Sequence, residues 1–173
     1  MYRLADTPLR NVVRHGSFDW AQWRGKLGPW QPTGAGQAKV IVGKPAGILH
    51  SYSERNSIIG AGVELSGEPK DGIEQSLDAL RPNQLYEVSA WVKMKGKGTV
   101  RIGVRGAGQE PVEAATGDAA KWRLLTARFT ASAKPGDVTV FVSKTGEGTA
   151  FADHVALTGV VAGIEPVKAG LFP

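Results

Sequence analysis

The sequence predicts an all-β sandwich of antiparallel strands. Apolar and polar residues alternate at a period of two in short runs, as in Tyr86-Glu87-Val88-Ser89-Ala90-Trp91-Val92. Turn-forming residues punctuate those runs, with Gly at 23 and Pro at 10 of the 173 residues. Helical signal is weak; the best stretch, 111–120, is alanine-rich but interrupted by Gly117 and reads as a loop or a single turn. The length suits one domain with a full hydrophobic core and is too short for two of ordinary size.

Residues 1–10 read as a leader, 11–160 as the domain and 161–173 as a tail or linker stump. Within the domain, 11–18 suggests a first strand. The loop that follows, 19–36, holds Trp20, Trp23 and Trp30 among glycines and prolines, too aromatic for a mere connector. Strands are then expected at 37–42, 62–66, 73–77, 84–94, 99–105, 124–130, 137–143 and 152–157. Arg81-Pro82-Asn83, Lys95-Gly96-Lys97-Gly98, Lys134-Pro135-Gly136-Asp137 and Thr145-Gly146-Glu147-Gly148 put residues that set or permit turn dihedrals between the alternating runs. Such spacing belongs to a sandwich.

Composition excludes several classes. The absence of cysteine removes disulfides, thiolate metal sites and a cysteine nucleophile. No run approaches the roughly 18 apolar residues of a membrane helix. A net charge of +5 and a pI near 9.6 favour anionic partners. Yet Lys and Arg are spread along the chain, without a basic arm, recognition helix or ribonucleoprotein motif, so nucleic acid is not expected as a partner. Residues 1–10 carry scattered charges and no apolar stretch of the signal-peptide kind, which leaves a cytosolic protein or a module cut from a larger exported one.

The run 84–94 carries the sharpest functional hint. Tyr86, Val88, Ala90 and Val92 share one side, so Glu87, Ser89, Trp91 and Lys93 share the other. An indole between a carboxylate and an ammonium has the character of a binding platform. In 99–105 the inward side is Val100, Ile102 and Val104, which leaves Arg101, Gly103 and Arg105 outward, expected on the face that also carries Trp91. In 137–143 Phe141 goes outward with Thr139 and Ser143. A sugar ring offers a C–H patch that stacks on an aromatic ring and hydroxyls that need both donors and acceptors. Trp91 with Glu87, Arg101, Arg105 and Gln75 supplies that chemistry, and Phe141 adds a second platform. Guanidinium groups hold carboxylates and sulfates in bidentate geometry, so the two arginines favour an acidic or substituted polysaccharide. Two alternatives stand beside this site: Trp91 and Phe141 lie beneath a covering loop as a satellite core, or Trp20 and Trp23 form the sugar site instead. Trp30, Trp122 and Tyr86 read as structural.

Three landmarks fall into one order: His15-Gly16-Ser17-Phe18-Asp19, then Gln75-Ser76-Leu77-Asp78-Ala79-Leu80-Arg81-Pro82 leading into the Tyr86-to-Lys93 run, and Phe151-Ala152-Asp153-His154-Val155 near the end. Their succession resembles the β-jelly-roll carbohydrate-binding modules related to families four, nine, sixteen and twenty-two. The resemblance implies a jelly roll of two antiparallel sheets whose concave face is the usual cleft for an internal stretch of glycan. It also implies a structural calcium ion joining the first and last strands through Asp19 and Asp153, with carbonyls of Ser17 and 52–56 as further donors. The alternative for each aspartate is to cap a turn through its own backbone.

No catalytic constellation is signalled: there is no nucleophile elbow, zinc-binding His-Glu-x-x-His, P-loop or dinucleotide fingerprint. Glu64 and Glu74 could be imagined as a glycosidase pair, but nothing in the sequence sets them across a cleft. The reading is therefore a secreted, non-catalytic carbohydrate-binding module, covalently linked to a polysaccharide-degrading enzyme that it docks on its glycan, with neither nucleic acid nor membrane as a partner. A structural or adhesive sandwich domain of a larger exported protein is one alternative. A jelly-roll polysaccharide lyase is the other, although the arginine-rich and Gln-Ile-His-like strands of such enzymes are missing.

Overall fold

The structure is a computed structural model describing residues 11–18, 27–34, 38–42, 61–67, 70–78, 80–117 and 120–160. Among these residues ten strands form: β1 (Gln31–Thr33), β2 (Ala38–Val42), β3 (Ala61–Leu65), β4 (Gly72–Leu77), β5 (Leu85–Lys95), β6 (Thr99–Arg105), β7 (Val112–Thr116), β8 (Arg123–Thr130), β9 (Val138–Thr145) and β10 (Thr149–Gly159). They make two antiparallel five-stranded sheets, ordered β1-β4-β9-β6-β7 and β2-β3-β10-β5-β8. This is the expected all-β jelly-roll sandwich.

Alternation builds the core. From one sheet Val63, Leu65, Val88, Ala90, Val92, Ala152 and Leu157 point inward and are fully buried; from the other Ile73, Val100, Ile102, Val138, Val140 and Val142 meet them. Each such aliphatic side chain contributes about 1.5–3 kcal/mol on burial, which is what two half-apolar sheets gain by facing each other. Trp30 is buried as expected, its ring centroid 5.7 Å from that of Phe18. Tyr86 stacks on Phe129 at 5.8 Å.

Three elements differ from the expectation. Residues 11–18 do not form a strand: Asn11 makes an isolated bridge to Thr158, and His15 and Phe18 adopt positive φ (54° and 57°), which breaks an extended run. Residues 112–116 do form one, β7, an edge strand paired only with β6. The three-residue β1, inside the aromatic loop, pairs with β4.

A bulge in β10 sets the other geometry that matters. Trp91 pairs with Asp153 but Ser89 pairs with Ala156, so β10 carries one extra residue, with His154 at φ 51°. The inward set switches from Ala150 and Ala152 to Val155 and Leu157. Into this kink docks the segment 11–18: Gly16 O accepts from Val155 N at 2.9 Å, and a Cβ on Gly16 would lie 1.9 Å from Val155 O, so only glycine permits the approach.

Candidate functional site

The outer face of the β1-β4-β9-β6-β7 sheet is organised around Phe141. Cross-strand pairing places Gln31, Glu74, Phe141, Gly103 and Glu113 in one row across all five strands. The next row runs Thr33, Gly72, Ser143, Arg101 and Ala115, and on the other side lie Ser76, Thr139 and Arg105. The half-buried Phe141 ring reaches over Gly103, where a Cβ would meet its Cζ at 2.5 Å. Glycine at 103 is thus what lets the ring settle onto the sheet. Thr139 and Ser143 on β9, with Gly72, Ser76 and Ala115 beyond them, leave small side chains between the ring and the charged groups that surround it.

Charged groups frame the ring in pairs. Arg105, its Cζ 5.8 Å from the ring centroid, pairs with Glu74 across β9. Arg101 Nε stands 4.0 Å from Glu113 Oε1, too far for a hydrogen bond, and this Nε is shut off from solvent without a hydrogen-bond acceptor among the described residues. Two guanidiniums and two carboxylates balance, and their side chains remain 27–50% exposed. The face therefore offers donors and acceptors beside an apolar ring, with no net charge from these four groups.

Trp91 and Glu87 are not on this face. They project from β5 on the outer side of the β2-β3-β10-β5-β8 sheet, so the expectation of Trp91 beside Arg101 and Arg105 is corrected: a whole sandwich separates them. The physical reason is that β5 and β6, though consecutive, belong to different sheets; alternation says which residues face outward, not from which sheet. Half-buried Trp91 sits between Asp153 and the 44%-exposed Leu124 in its row. Glu87 Oε2 accepts from Arg128 Nε at 2.6 Å, and Lys93 Nζ lies 5.9 Å from the Phe151 centroid.

Gln75 is corrected as well. With Ile73 and Leu77 it points into the core, 1% exposed, where its Nε2 donates to Arg14 O and its Oε1 accepts from Arg14 N, each at 2.8 Å. Glu74, its neighbour, takes the outward place. Sequence reasoning does not reach Glu113, because 111–120 reads as a loop or a single turn; the alternation Val112-Glu113-Ala114-Ala115-Thr116 is the available signal. Glu64 and Glu74 face opposite sides of the sandwich, paired with Lys39 and Arg105 respectively, which is not a glycosidase arrangement.

Asp19, Trp20 and Trp23 lie outside the described residues. Asp153 is within them: it is 1% exposed at the bulge, and its Oδ1 accepts from His154 N at 2.6 Å and lies 3.0 Å from His154 Nδ1. A buried carboxylate at this junction suits a cation ligand. Among the described residues no three acidic or histidine side chains gather into a metal-binding group, so further ligands would have to be backbone carbonyls or Asp19.

Residues 10–148 match the family model of the Carbohydrate binding domain of families four and nine. No curated protein matches by sequence. Among solved structures, the module TmCBM61 in complex with β-1,4-galactotriose superposes with a TM-score of 0.66 at 19% identity, over 87% of this chain and 99% of that one. The CBM22-1 xylan-binding domain from Paenibacillus barcinonensis Xyn10C gives 0.64 at 18% identity, over 90% and 98%. The CBM22-1 and GH10 modules of Clostridium thermocellum Xyn10B, complexed with xylohexaose, give 0.57 at 15% identity, over 91% of this chain and 30% of that one. At these identities the likeness is one of fold.

Proposed function

Because the chain belongs to the carbohydrate-binding domain family of families four and nine, we propose that it is a non-catalytic module that holds a stretch of polysaccharide across the outer face of the β1-β4-β9-β6-β7 sheet. The observation that carries the reading is Phe141, seated over Gly103 at the centre of this face and flanked by the Arg105–Glu74 and Arg101–Glu113 pairs. A pyranose ring stacks its C–H face on Phe141 while its hydroxyls reach the Arg105–Glu74 and Arg101–Glu113 pairs. Each of these arginines faces a glutamate, so this face suits a neutral glycan better than the acidic polymer that the unpaired arginines suggested. In its parent protein the module is secreted and tethers a polysaccharide-degrading enzyme to its substrate by raising effective concentration. Structural calcium at Asp153, with Asp19 as the second carboxylate, belongs to the same proposal.

A second reading keeps Trp91 as the platform, supported by the Glu87–Arg128 pair and the exposed Leu124 beside it. Affinity electrophoresis on neutral, uronic and sulfated polysaccharides separates the two. Retardation by a neutral polymer, weakened at least tenfold in Phe141→Ala and unchanged in Trp91→Ala, is expected. The reverse pattern moves the site to the other sheet. No retardation on the whole panel favours the structural or adhesive domain, and unsaturated sugar ends released from any polymer favour the lyase.

A further inference from the structure

A cavity of about 480 Å3 opens at one end of the sandwich, between the segment 11–14, the end of β4 and the turn before β5. Its size falls within the range of small-ligand sites. One wall is Val12 and Arg14; the other is Leu77 and Asp78, with Tyr86 at the base. No residue of the Phe141 face lines it.

The wall is held rigid without using its side chains. Gln75, buried in the core, pins the Arg14 backbone by two 2.8 Å hydrogen bonds. Asn11 Oδ1 accepts from Val13 N and Leu157 N, each at 3.0 Å. Between these two pins Val12 stays 37% exposed, one of the two large apolar residues so exposed among the described residues. Arg14 is exposed too, and its guanidinium makes no ion pair among the described residues. Arg101, Arg105 and Arg128 each face a glutamate. A guanidinium carried on a pinned backbone, beside an exposed aliphatic surface and with no carboxylate partner among the described residues, suits an amphipathic acid.

We propose that this cavity takes a single uronate residue, at a chain end or a branch. The sugar carboxylate lies on Arg14, its ring hydroxyls donate to Asp78, and its C–H face packs against Val12 and Leu77. The lining also holds Arg81, whose backbone N–H donates to the Tyr86 hydroxyl at the base. The ligand class rests on the carbohydrate-binding reading, whereas the site does not rest on the Phe141 face. One module would then hold a glycan run on its sheet and an acidic residue at its end.

The test is a titration of the full chain with sodium glucuronate, followed by amide chemical shifts, with glucose and sodium acetate as parallel probes at matched ionic strength. Saturable shifts at Val12, Arg14 and Asp78 are expected with glucuronate, with at least tenfold weaker responses to glucose and acetate. Arg14→Ala should weaken glucuronate binding at least tenfold while keeping the wild-type melting temperature, since Gln75 grips only backbone atoms; Arg14→Lys should fall between. Phe141→Ala should leave the glucuronate response intact while losing polymer retardation, so failure of either site is visible separately. Absence of saturable shifts at these residues, equal responses to glucose or acetate, or an unchanged response in Arg14→Ala overturns the proposal.

Discussion

Gln75 grips Arg14 at both ends of its side-chain amide, donating to the Arg14 carbonyl and accepting from the Arg14 N–H. An amide buried among the core residues Ile73 and Leu77 thus plays the part of a missing backbone strand and anchors 11–14 to β4. Gln75→Leu keeps the volume and leaves both Arg14 backbone groups without their partner, so it should destabilise the fold by about 2–4 kcal/mol. Urea denaturation checks this: the midpoint falls and the slope stays constant if the native state is otherwise intact.

Gly103 is the position on which the Phe141 platform depends. A Cβ there would lie 2.5 Å from Phe141 Cζ and 2.6 Å from Val112 O, so the ring must lift and the β6–β7 pairing must give. Gly103→Ala should cost about 1–3 kcal/mol by overpacking and weaken glycan retardation at least as much as Phe141→Ala does. A variant that loses stability but retains full binding would show that the ring position is irrelevant to the ligand.

The sandwich was legible in the period-two pattern because long strands such as β5 and β9 carry unbroken inward sets. Less was legible where that pattern is short or broken. β7, with Ala114 and Ala115, has few β-branched or aromatic residues to mark it, and as an edge strand it is only partly buried on its inner face, at Val112 and Ala114. The bulge at His154 shifts the parity of β10, which no alternation rule reveals. The candidate site fell into halves for a deeper reason: alternation distinguishes inside from outside, whereas the choice of sheet is made by long-range pairing. Phe141, Arg101 and Arg105 were found and do share a face; Trp91 and Glu87 were found and do not join them. Gln75 was misread because a polar side chain at an inward position looks like a ligand until its backbone partner is seen.

Lys144 presents a buried charge that the sequence did not flag. It is fully buried on β9, and its Nζ donates to Gly67 O and Gly146 O, each at 3.0 Å, tying the β3–β4 connection to the β9–β10 turn. Lys144→Met retains most of the aliphatic packing and leaves both carbonyls without this donor. A loss of about 2–4 kcal/mol is expected, with faster amide hydrogen exchange confined at first to 145–148. Wild-type stability in the variant would mean that burying the ammonium costs as much as its two hydrogen bonds return.

Calcium at Asp153 makes a prediction with a definite sign. If the ion binds only the folded chain, calcium at about 100 times its dissociation constant adds roughly 2.7 kcal/mol, which for a chain of this size raises the melting temperature by about 5–10 °C. EDTA should remove that gain. Asp153→Asn keeps an acceptor for the His154 N–H but removes the charge, so its melting temperature should be insensitive to both calcium and EDTA and should match that of the EDTA-treated wild type. Without a metal EDTA does nothing, and Asp153→Asn acts only through the contacts of the carboxylate, such as those with His154, with no dependence on calcium. Scanning calorimetry of the two proteins, with calcium and with EDTA, therefore decides whether the bulge in β10 holds an ion or only turns the chain.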